Sequence, residues 1–197
     1  MIRIWILVFT VFQLVHSTGQ NYNYSWPLPD GWVKEIVPFP LKFAPSLYYK
    51  GVEEIHFLPG WKEGKDLEQR WSYLFFWLIE SNEEIDTSRL ADDLSVYFNG
   101  LAEWVQKNNK SVLIRKFESE VKVDRPGDQD KQYFSGTARI LDVFFTNQPV
   151  ALNAKIRVIP IPGNNKTVIF HEFSPQPFDH PVWKLLDDHV QDFRYNE

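Results

Sequence analysis

The chain has 197 residues, a formal charge of −5, 16% aromatic residues and no cysteine. Without cysteine there is no disulfide, no thiolate metal site and no lipid anchor on a cysteine, so packing and hydrogen bonds supply all the stability. The 21 Lys and Arg are outnumbered by 26 Asp and Glu and lie scattered, which argues against nucleic acid or an anionic membrane surface as partner.

Met1-Ile2-Arg3 is a short basic start, and Ile4 to Val15 is an apolar run of 12 residues followed by small and polar His16 to Gln20. That is the layout of a secretory signal peptide, taken as residues 1–19. The run is too short to span a bilayer, which needs about 20 residues of helix. Residues 20–197 then read as one exported domain, periplasmic or extracellular. An exported domain without disulfides points to a bacterial source.

Residues 20–31 read as an arm or loop, with Pro27, Pro29 and Asp30-Gly31 as breakers. Trp32 to Phe39 reads as a short strand. Glu53 to Leu58 alternates, with Ile55 and Phe57 on one face and Glu54 and His56 on the other, the second face expected in water. Arg70 to Glu80 is apolar in both registers. Its aromatic enrichment favours a central strand covered on both faces over a buried helix. Asp86 to Lys107 carries Leu90, Leu94, Tyr97, Phe98, Leu101 and Val105 at spacings of three and four, an amphipathic helix capped by Asp86, Thr87 or Ser88.

Four strand-like runs follow, at 111–123, 132–145, 150–161 and 167–173, with short connections that imply an antiparallel meander. Asp179 is the expected cap of a last helix with Pro181 in its first turn. The elements add up to an α+β domain, an antiparallel, curved β-sheet packed on one side by the long central helix and the C-terminal helix.

No nucleophile elbow, zinc-binding His-Glu-x-x-His, phosphate loop or dinucleotide fingerprint occurs, and nothing calls for a cofactor. Trp61, Tyr73, Trp77 and Glu80 put planar rings beside a carboxylate, a chemistry that stacks sugars or holds an apolar ligand. His171, Glu172 and His180 are the candidates for metal or acid–base work, although neighbours on a strand point to opposite faces. His56 joins them as a possible acid or base.

Phe57-Leu58-Pro59-Gly60-Trp61, the run Trp71 to Glu80 and the run Leu94 to Leu101 together resemble a pattern in uncharacterised bacterial exported proteins. The resemblance covers less than half of residues 20–197. It implies an exported single domain of unassigned activity and supplies no catalytic residues. The sequence therefore reads as a small exported binding module with an aromatic-lined concavity for an apolar or carbohydrate-like ligand or a partner protein. The alternatives are a hydrolase or metal-dependent enzyme built on His and Glu, and a structural or assembly protein.

Overall fold

The computed structural model describes residues 23–61, 70–81, 83–110, 112–124 and 132–196. The signal peptide read at 1–19 lies outside the described residues. Seven strands form one sheet in the order β2-β3-β4-β8-β7-β6-β5, every neighbouring pair antiparallel. They are β2 (Val33–Pro38), β3 (Gly51–Phe57), β4 (Tyr73–Glu80), β5 (Glu120–Asp124), β6 (Tyr133–Leu141), β7 (Pro149–Pro160) and β8 (Lys166–Ser174). The last four form the expected meander. A two-stranded ribbon pairs β1 (Tyr24–Ser25) with β9 (Arg194–Tyr195), next to the C-terminal helix.

The sheet centre explains the doubly apolar run at 70–80. β4 sits between β3 and β8, and its odd residues Tyr73, Phe75, Trp77 and Ile79 enter one core while Leu74, Phe76 and Leu78 enter a second. A strand buried on both faces has no reason to alternate.

Helix α1 (Thr87–Asn108) lies over the odd face, burying Leu90, Leu94, Tyr97, Phe98, Leu101 and Val105 in the first core. Asp86 caps it by accepting from the Arg89 amide at 2.9 Å.

Helix α2 (Pro181–Val190) lies on the opposite face, where Val182, Trp183, Leu186 and Val190 meet Leu74, Phe76 and Phe170. The α+β class and antiparallel sheet are as expected, but the helices flank both faces of the sheet rather than one. The apolar even set of β4 requires that second cover. Away from it, β6 alternates buried and more exposed positions, while on β7 the alternate positions are half-buried, where Lys155 and Arg157 reach Asp187 of α2. The cap of α2 is also one residue later than expected: His180 Nδ1, not Asp179, accepts from the Val182 amide at 3.2 Å. Among the described residues no helix is long and apolar enough to cross a membrane.

Candidate functional site

The connection from β3 to β4 leaves the sheet at Leu58-Pro59-Gly60, where Gly60 takes a left-handed φ of 82° and the Trp61 amide donates back to the Leu58 carbonyl at 3.2 Å. It re-enters through Trp71, whose own φ is 62°. A side chain in that region costs about 1–2 kcal/mol and persists only where its surroundings hold it.

The two indoles sit edge to face, with ring centroids 6.4 Å apart. With Tyr73, Tyr97, Phe144 and the Glu35 side chain they line a crevice of about 40 Å³ at the end of the sheet, on the α1 side. Trp61 and Trp71 are buried, yet among the described residues neither indole Nε1 has a hydrogen-bond partner. A buried donor left unmade costs about 1–3 kcal/mol, and buried tryptophan N–H groups usually find an acceptor.

Of the expected ligand-binding residues, the structure therefore brings Trp61 and Tyr73 together. Trp77 lies deeper along β4, fully buried, and donates its Nε1–H to Glu53 Oε1 at 3.0 Å. Glu80 is exposed at the far end of β4, opposite Lys166. The carboxylate at the crevice is Glu35, placed by β2 beside Ile55. Glu35 carried a legible signal, since it alternates with Val33 and Val37 on the less exposed face of its strand. Trp71 stands in the same aromatic cluster of the sequence as Trp61 and Tyr73, whereas Tyr97 and Phe144 come from two other elements and carried no signal.

Glu53 and His171 are buried under α1. Burial pushes the Glu53 carboxyl up to about 8, with the Trp77 hydrogen bond pulling the other way. His171 lies 4.5 Å from the Phe75 ring and 4.6 Å from the Trp77 ring, and among the described residues neither of its ring nitrogens is hydrogen-bonded. Burial holds it down to about 3, so it is a neutral ring in the core.

Glu54 and His56, expected in water, are also buried, because the arm 23–32 and α2 cover their face. His56 Nε2 lies 2.8 Å from Glu54 Oε1, and His56 Nδ1 lies 2.7 Å from His189 Nε2 on α2. The ionised Glu54 accepts from His56 Nε2–H, so His56 Nδ1 accepts from His189. Trp26 stacks on His56 at 3.8 Å and on His189 at 4.7 Å, closing the chain off from solvent. Burial pushes the Glu54 carboxyl up, but hydrogen bonds from His56 and Tyr24, together with Lys34, hold it below its ordinary value. Burial, with the charge of His56, brings His189 down to about 4.

Glu172 points to this second face, where Arg157 donates to it at 3.1 Å and also pairs with Asp187, itself held by Lys155 at 2.6 Å. Burial pushes Glu172 up to about 8 against the pull of Arg157.

His171 and Glu172 are thus split between faces, and His180 is occupied as a helix cap. Among the described residues no hydrogen bond or ion pair joins any two of His56, His171, Glu172 and His180. Nor do three His, Asp or Glu side chains there gather as a metal site would require. Of the buried imidazoles and carboxylates among the described residues, only Glu54, His56 and His189 are joined to one another.

Fold and crevice together define a compact α+β domain with an aromatic recess at one end of an antiparallel sheet. No family model matches this chain and no curated protein matches it. Among solved structures it is similar to the solution structure of cyanobacterial PsbP (CyanoP) from Synechocystis sp. PCC 6803, at 17% identity over 88% of this chain and 86% of that one, with a TM-score of 0.37. A likeness this loose bears on neither the fold nor the function of this chain.

Proposed function

We propose that the protein is an exported, non-enzymatic binding module whose aromatic crevice receives the acceptor-bearing edge of an apolar or carbohydrate-like ligand. The observation that carries this reading is a pair of tryptophans that line one recess, each with a buried indole N–H that has no acceptor among the described residues, one of them on a strained backbone. Strain and unmet hydrogen-bonding capacity collect where a binding partner completes them. Export rests on the leader at 1–19.

The volume bounds the mode of binding. About 40 Å³ admits a hydroxymethyl, carbonyl or similar small group, so the ligand lays one edge into the recess and stacks its remainder outside. Its oxygens accept from Trp61 and Trp71 while Tyr73 and Phe144 take its C–H surface.

The test is to follow the seven tryptophan indole N–H signals of residues 20–197 by NMR while adding methyl glucoside, N-acetylglucosamine or octanoate. The Trp61 and Trp71 signals are expected to shift together with at least one of the three. Trp71→Phe keeps the ring but loses the donor, and should weaken that binding about tenfold, the worth of one hydrogen bond. If neither signal moves with any probe, or Trp71→Phe binds as tightly as the parent, the crevice is not a binding site.

A further inference from the structure

A second concavity, of about 860 Å³, runs along the C-terminal half of α1 and is walled by the irregular segment 112–118. Its floor is apolar, formed by Ala102, Val112 and Phe117. Its rim is basic, with Lys107, Lys110, Arg115 and Lys116 against the carboxylates of Glu103 and Glu118. Four cations against two anions make the groove net positive on a chain of net charge −5. Among the described residues none of these four cations is in an ion pair. Elsewhere the chain pairs its cations freely, as at Arg89, Arg139, Lys155 and Arg157.

Beside the groove two consecutive apolar side chains stand in water, Leu113 at 79% and Ile114 at 85% exposure. They are held there by fixed anchors. Gln106 accepts from the Arg115 amide, Asn147 Nδ2 donates to the Leu113 carbonyl at 3.0 Å, and Asn99 Oδ1 accepts from the Ser119 amide at 2.8 Å. A segment fastened by three side chains while presenting its apolar residues outward forgoes the burial such side chains ordinarily gain.

The geometry points to this groove as the docking surface for an acidic segment of a partner protein that carries apolar residues between its carboxylates. The unpaired cations supply charge complementarity, and Leu113, Ile114 and the apolar floor supply the buried area. The chain's own residues 1–22 contain no Asp or Glu and do not supply the complementary charge. A second copy of this acidic chain matches the charge only in bulk. This surface is separate from the aromatic crevice, and either proposal stands or falls without the other.

The probe is a fluorescein-labelled 14-residue peptide alternating Glu with Leu and Phe, titrated into the whole protein by anisotropy and mapped by amide chemical shifts. Binding is expected to map to α1 and 112–118 and to weaken with salt. It should fall about tenfold in the K107E/K110E/K116E variant, three exposed positions. An independent variant, L113S/I114S, should weaken it as well while leaving Tm unchanged, since neither side chain is buried. The same peptide with Lys for Glu should not bind. The proposal is overturned if the peptide fails to bind, if the charge-reversed variant binds it equally, or if its shifts map elsewhere. Binding of phosphatidylglycerol vesicles without binding of the peptide overturns it too, and assigns the groove to an anionic lipid surface.

Discussion

Glu53 and Glu54 are neighbours in the chain, both nearly sealed from solvent, and they hold opposite protonation states at neutral pH. The cause is the strand between them, which turns one toward the α1 core and the other toward the arm. Among the described residues Glu53 meets an indole donor and a phenol but no cation, with the Glu35 carboxylate nearby; Glu54 meets an imidazole, a phenol and an ammonium. Folded Glu53 keeps its proton up to about pH 8, whereas in the unfolded chain it ionises near 4.5. Between those values the folded state binds more protons, so raising the pH favours unfolding. Glu53→Gln keeps an acceptor for Trp77 and removes the titration. It should gain on the order of 1–3 kcal/mol over the parent between pH 5 and pH 8, read by urea denaturation at both. An equal difference at the two pH values would show that Glu53 does not titrate with folding.

At the scale of elements, α1 is pressed onto the segment that joins β2 to β3. A Cβ at Gly100 would stand 2.1 Å from the Phe43 carbonyl oxygen and 3.0 Å from its carbon, both backbone atoms that cannot swing aside. Alanine is favoured over glycine inside a helix by about 1 kcal/mol. The clash outweighs that preference, so Gly100→Ala should lower stability by about 2 kcal/mol, seen as a fall in Tm. A rise in Tm would mean that the helix sits farther from the segment.

The same elements show what a sequence discloses. α1, the strand at 73–80 and the meander are legible because a periodicity of 3.6, a doubly apolar run and short turns are local signals. The face that α2 covers is not. Its spacing shows which side of the helix is apolar but not which side of the sheet it crosses to. Glu54 and His56 were misread for a related reason: alternation separates two faces without saying whether a distant arm covers the second. The crevice was partly legible, because Trp61, Trp71 and Tyr73 share one hairpin and Glu35 shares a face with Val33 and Val37, while Tyr97 and Phe144 reach it from other elements.

For the whole molecule, burial has set two groups of titrations against each other. His171 and His189 stay neutral down to about 3 and about 4, so acidification below the ordinary histidine value of 6.5 favours the unfolded chain, which takes up those protons. Glu53 and Glu172 stay protonated up to about 8, so raising the pH above 4.5 favours the unfolded chain, which releases theirs. Between about pH 4.5 and 6.5 the two slopes offset. Stability should therefore be highest there, falling by at most roughly 3 kcal/mol per pH unit on either side. A Tm profile from pH 3 to 9 checks this. A maximum above pH 7 would show that the buried carboxyls are ionised in the folded protein.

The ribbon of Tyr24 and Ser25 with Tyr195 and Arg194 gives the molecule a back and a front. It knots the entry and exit of the fold together on the α2 side, while the crevice and the basic groove both open on the α1 side. The two ends of the described fold therefore leave from one place, on the face away from both concavities, so a linkage made at Ser25 or Arg194 leaves the crevice and the groove uncovered.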